Sequence, residues 1–115
     1  MSSSLPLTDH GPIDLEHLRR STLDDAGLAR EVLGLFADQA GRVLGQLASL
    51  PPDAGALAHT LKGSARAIGA FGVAAAAEAL ELASRDGRPP AQALAALDAA
   101  VKDARAAVET ILRRP

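Results

Sequence analysis

The placing of helix breakers constrains this chain more than any other feature. Pro12, the pair Pro51-Pro52, the stretch Gly69-Ala70-Phe71-Gly72 and the run Asp86-Gly87-Arg88-Pro89-Pro90 divide it into segments of helical length. Proline lacks the amide proton that a helix interior needs and restrains the residue before it, while glycine favours turns and helix ends. The segments between these breaks are built mainly from 26 Ala and 18 Leu, with few Val or Ile, a composition that favours helix over strand. An all-α fold follows.

Residues 1–12 hold three serines and two prolines without periodicity, so a flexible leader is expected there and a single helical domain over 13–115. A short helix is expected over about 13–20. Ser21 or Thr22 can cap a second helix, with Asp24 and Asp25 in its first turn, running to about Leu50. A third is expected over about 53–69 with Asp53 as its cap, a fourth over about 72–85, and a last over about 91–113 with Arg113 and Arg114 at its negative end.

Each long segment carries an apolar stripe. On the second it is Leu28, Val32, Leu35, Phe36, Val43, Leu47 and Leu50; on the third, Leu57, Leu61, Ala65 and Ile68; on the fourth, Val73, Ala76, Ala77 and Leu80. The last has Leu94, Leu97, Val101, Ala104, Val108 and Ile111, whose alternating spacing of three and four suits a shallow helix crossing. Short connections make neighbours antiparallel. The expected architecture is an up-and-down antiparallel four-helix bundle with a short N-terminal capping helix.

Several function classes are disfavoured. Without cysteine the chain has no disulfide framework, no thiolate metal site and no thiol nucleophile. A formal charge of −2 and only two Phe, with no Trp or Tyr, provide neither a basic footprint nor a stacking platform for nucleic acid. The N-terminus shows no basic segment followed by an apolar one, so neither secretion nor membrane insertion is expected and the cytoplasm is the default. His10 and His17 lack partners at metal-ligand spacing, and no metal site is expected.

The third segment holds the chemistry. At about 100° per residue, Leu57, Leu61, Ser64, Ala65 and Ile68 cluster on one side, and His59 falls about 180° from their centre, facing water. Lys62, Gly63 and Arg66 project on the histidine's side, with Ala70 nearby. An exposed imidazole, with an ordinary pKa of about 6.5, is mostly neutral at physiological pH and so can act as a nucleophile. Lys62 and Arg66 could balance a phosphoryl group placed on it, and Gly63 would leave room for a partner's surface. On the fourth helix, Glu78, Glu81 and Arg85 fall on one side of the stripe; a Glu there can reach the ring, though a solvated charged face is the plainer reading.

Read together, His59-Thr60-Leu61-Lys62-Gly63-Ser64 followed by Gly69-Ala70 resembles the signature of histidine-containing phosphotransfer (HPt) domains, H-x-L-K-G-S with a glycine five residues after the Ser. Ile13-Asp14-Leu15 with Leu18, Phe36 and Ala79-Leu80-Glu81 resemble the family's surroundings, and the likeness spans about residues 13–112. It implies that His59 accepts a phosphoryl group from an aspartyl-phosphate of a receiver domain and passes it to the Asp of a response regulator in two-component signalling. Lys62 would stabilise the phosphate and Gly63 supply clearance; Arg66 is argued from helix geometry alone. The partners implied are receiver domains of hybrid histidine kinases and of response regulators. No cofactor is implied for the chain itself, Mg2+ being expected in the receiver, and no autonomous kinase activity. A monomer is expected.

Two other readings stay open. A histidine-kinase dimerisation domain also exposes a phosphoacceptor His, but usually follows it with an acidic residue, where Thr60 stands here. A helical docking module would carry His59 unphosphorylated. Beyond the motif, Gly27, Gly34, Gly41 and Gly45 form a strip expected opposite the apolar face of the second helix, against a helix cost of about 1 kcal/mol each, and raise the question of a partner approaching there. Gln39 is expected toward the core with a hydrogen-bond partner, and Ser64 inward on a backbone carbonyl.

Overall fold

A computed structural model describes residues 11–114, so the expected leader, apart from Gly11 and Pro12, lies outside the described residues, as does His10. Among the described residues there are five helices and no strand: α1 (Leu15–Ser21), α2 (Ala26–Leu47), α3 (Ala54–Ile68), α4 (Phe71–Arg85) and α5 (Ala91–Arg113). Helix α2 packs on α3 and α5, α4 packs on α3 and α5, and α1 lies against α2 and α3. None of these helices is long and apolar enough to cross a membrane.

Leu33, Leu47, Leu61, Leu80 and Leu97 are fully buried, with Ala40, Ala58, Ala65, Ala77 and Ala104 completely covered between them. Alanine at the contact positions lets helix axes approach closely, since interaxial distance follows side-chain size. The most extensive pairing is α3 with α4, and their junction is two residues long. Gly69 ends α3 with a left-handed φ of 87°, its N–H and that of Ala70 bonding back to carbonyls of the last turn. The Asp14 N–H donates to the Gly69 carbonyl at 2.9 Å, which anchors the start of α1 to this corner.

The turn between α1 and α2 corrects the expected caps. Thr22 closes α1 rather than opening α2, its Oγ1 donating to the Leu18 carbonyl at 2.8 Å. Leu23 and Asp24 then take positive φ, and Asp25 is the cap of α2, its carboxylate accepting from the Leu28 N–H at 2.9 Å. Asp53 stands at the cap position of α3 without a side-chain cap bond.

The stripe of α2 is also corrected. Its buried residues are Leu33, Phe36, Ala40, Val43 and Leu47, a regular three–four spacing that leaves Leu35 about 120° off the stripe centre. Leu35 is 63% exposed, Leu28 lies at the helix start and Leu50 beyond its end, both exposed. Gln39 is only half-buried and Leu57 likewise.

Gly34 and Gly41 line an open groove between α2 and α5. An added Cβ at Gly41 would lie 3.0 Å from the Arg105 guanidinium, so this glycine makes room for a side chain of the same molecule, whereas Gly34 and Gly45 face open space. At the end of the bundle, Arg30 of α2 donates to the carbonyls of Ile111, Leu112 and Arg114 at the end of α5. A cation there meets the negative end of the helix dipole and its unpaired carbonyls.

Candidate functional site

Helix α3 carries His59, Lys62, Gly63 and Arg66 on the flank turned toward α4 and solvent. The His59 side chain is 65% exposed, in keeping with its position away from the buried Ala58, Leu61 and Ala65. Ala70, expected near it on the surface, is instead fully buried at the corner. Ser64 is half-buried, and its hydroxyl makes no hydrogen bond among the described residues.

Glu81 of α4 joins these residues into one unit. One of its carboxylate oxygens, Oε2, lies 2.8 Å from His59 Nδ1, and the other, Oε1, accepts from Lys62 Nζ at 2.7 Å. The Lys62 side chain is only 14% exposed, and its ammonium is turned onto Glu81 rather than standing free beside the ring. Its hydrogen bond is the main cause holding the Glu81 carboxyl below its ordinary value of 4.5, with the His59 bond adding to it and desolvation opposing it. An ionised carboxylate has no proton to give, so Nδ1 is the donor in the bond to His59. In its neutral form the ring then carries its proton on Nδ1 and a lone pair on Nε2.

The surroundings leave that lone pair accessible. An added Cβ at Gly63, one turn beyond His59, meets nothing within 4 Å, so the fold itself does not require glycine there. Arg66 sits in the next turn, 3.6 Å from Glu78 of α4. On the other side of His59, Gly55, Ala56, Thr60, Glu81, Ser84 and Arg85 enclose an open cavity of about 470 Å3. No group of three or more His, Cys, Asp or Glu placed to hold a metal ion occurs among the described residues. The arrangement is a single oriented imidazole, exposed beside this cavity, with its carboxylate partner supplied by the neighbouring helix.

A sequence model of the Hpt domain matches residues 31–107. The chain belongs to the Hpt domain family. That stretch contains α3, α4 and the whole His59 unit. The fold of this Hpt domain is similar to a crystal structure of a candidate histidine-containing phosphotransfer protein from rice, with a TM-score of 0.79 and 27% identity, over 93% of this chain and 84% of the rice chain. No curated protein matches the chain. Membership connects the chain with phosphotransfer in two-component signalling, in which Hpt domains act as carriers alongside receiver domains.

The residue that sequence reasoning left undecided is Glu81. Its three-residue spacing from Glu78 marked a charged flank, but which acid meets the ring depends on the register between α3 and α4, which no local pattern encodes.

Proposed function

We propose that this domain is a phosphorelay intermediate whose His59 takes a phosphoryl group on Nε2 from an aspartyl-phosphate of a receiver domain and delivers it to the aspartate of a response regulator. The observation that carries this reading is the Nδ1–Glu81 bond, which leaves Nε2 as the nucleophilic nitrogen of an exposed ring. In transfer, the Nε2 lone pair attacks phosphorus, the P–O bond to the receiver's aspartate breaks, and the electron pair returns to that carboxylate. The ring keeps its Nδ1 proton and becomes cationic, a charge that the Glu81 carboxylate is placed to stabilise. Onward transfer runs the same steps in reverse.

Lys62 serves by holding Glu81 ionised and in place, and with Arg66 it adds positive charge to the face that meets the incoming phosphoryl group. Gly63 gives the receiver clearance, a role supported by the open space where a Cβ would stand. The divalent metal of the reaction, Mg2+, belongs to the receiver. The scaffold is read as an up-and-down antiparallel bundle of α2 to α5 capped by α1, a reading supported by each long helix having two long neighbours. Four long helices in one chain fit a monomeric carrier better than a dimerisation domain that completes its bundle from two chains.

The test is transfer from a labelled phospho-receiver. Acid-labile, base-stable label on the wild-type protein, lost in His59→Gln, is the expected result. A wild-type protein that binds receivers yet stays unlabelled with all of them would identify a docking module instead.

A further inference from the structure

The α3–α4 seam carries two ion pairs of unlike character. Lys62 and Glu81 meet at 2.7 Å with both side chains mostly covered, and Glu81 is bonded to His59 as well. Arg66 and Glu78, one turn further along the same seam, come only to 3.6 Å, outside hydrogen-bond distance, with side chains 54% and 47% exposed. The first pair is built into the site. The second is loose and open to solvent, and an exposed pair of this kind contributes little to the fold.

A protein that exchanges a phosphoryl group with Nε2 of His59 must cover the second pair. A stable protein contact takes about 800 Å2 from each partner, a disc of about 16 Å radius, whereas seven residues of helix carry Arg66 only about 10 Å from His59. Gly63 and Ala67 on α3 are small and exposed, so neither holds a partner away from Arg66. Once covered, the pair loses the water that screens it, and each charge counts for more against whatever the partner sets opposite. An arginine on α3 beside a glutamate on α4 is a fixed pattern of sign, which a docked surface either complements or opposes.

We infer that Arg66 and Glu78 form a partner-reading pair, favouring receiver domains that set an acidic side chain over Arg66 and a basic one over Glu78 and disfavouring those with the opposite order. The inference rests on the phosphorelay reading above and assigns the pair to recognition of the receiver protein. Lys62 and Glu81 act on the ring; Arg66 and Glu78 act on what docks beside it.

The test compares the wild type with Arg66→Glu, Glu78→Arg, the double variant Arg66→Glu/Glu78→Arg and, as a control for net charge, Lys102→Glu on α5, where Lys102 is paired with Asp98. Each protein is phosphorylated by the receiver domain, from a panel, that labels the wild type fastest, and separately by phosphoramidate, a small donor that needs no receiver. The ratio of the two rates is the readout, since effects on the imidazole itself enter both. It should fall about tenfold in each single reversal, less at high salt, and keep the wild-type value in Lys102→Glu. The double variant separates the two roles the pair could have. It restores opposite charges within the domain but shows the receiver the reversed pattern, so its ratio should be at least as low as in either single variant. Thermal unfolding at the wild-type midpoint in the double variant distinguishes this from a change in the fold. A double variant with the wild-type ratio, or single reversals that leave the ratio unchanged, would overturn the partner-reading role while leaving the relay standing. A wild-type protein that no receiver labels would overturn both.

Discussion

Glu81 holds His59 by its Nδ1 across the α3–α4 seam, with 2.8 Å between the oxygen and the ring nitrogen. The two residues are 22 positions apart. Through this bond a residue of α4 decides which nitrogen of an exposed imidazole on α3 is free to react.

The first prediction concerns pH. The folded-state pKa of Glu81 is lowered, chiefly by the Lys62 hydrogen bond. A lowered carboxyl pKa contributes stability that is fully present above the ordinary value of 4.5 and is lost as pH falls through the folded value. The stability difference between wild type and Glu81→Gln should therefore be flat above that value and shrink in acid, as measured by denaturant titrations across the range. In Lys62→Met the Glu81 carboxyl carbon should titrate closer to 4.5 in NMR, because the largest cause of its shift is gone. Transfer onto His59 should slow by about tenfold in Glu81→Gln, where the side chain can still accept from Nδ1 but no longer offsets the ring's positive charge.

A second prediction separates folding from docking. Gly63→Ala places a methyl group in open space on an exposed helix face, so it should stabilise the isolated domain by about 1 kcal/mol. The same variant should accept the phosphoryl group from a receiver more slowly, while its reaction with phosphoramidate is unchanged. Stopped-flow or rapid-quench transfer beside a thermal melt reads both effects.

Gly69 carries a structural requirement of the opposite kind. Its φ is 87°, and a Cβ would lie 2.7 Å from the Asp14 carbonyl oxygen. Gly69→Ala is therefore strained twice, by the left-handed backbone and by the α1 contact, and should destabilise by about 2–3 kcal/mol. The loss should appear as a lower denaturation midpoint together with faster amide exchange at Asp14, whose N–H bonds the Gly69 carbonyl.

How much of this was legible in the sequence depends on whether the cause is local. The proline pair before α5 and the arginines at its end mark that helix at both ends, and its observed span is Ala91–Arg113. The glycine corner between α3 and α4 is equally visible, since only glycine readily takes the conformation it needs. The outward direction of His59 follows from the spacing of Leu61, Ala65 and Ile68. The stripe expected on α2 leaves out Leu33 and Ala40, which are buried, and includes Leu35, which is exposed. In a bundle this rich in alanine, small residues share the seams with leucine, so side-chain size alone does not mark the core. The Lys62–Glu81–His59 unit, the Arg30 contact to the end of α5 and the Arg105 approach to Gly41 all join separate helices, and their registers are set by packing along the whole bundle.

The central claim is that Nε2 of His59 is the phosphoryl-carrying atom, and 31P–15N correlation NMR of the phosphorylated, 15N-labelled protein tests it most directly. The account predicts one phosphorus–nitrogen coupling, to Nε2 of His59, with Nδ1 still bearing its proton and bonded to Glu81. Coupling to Nδ1 of His59, or to a ring nitrogen of His10 or His17, would contradict it.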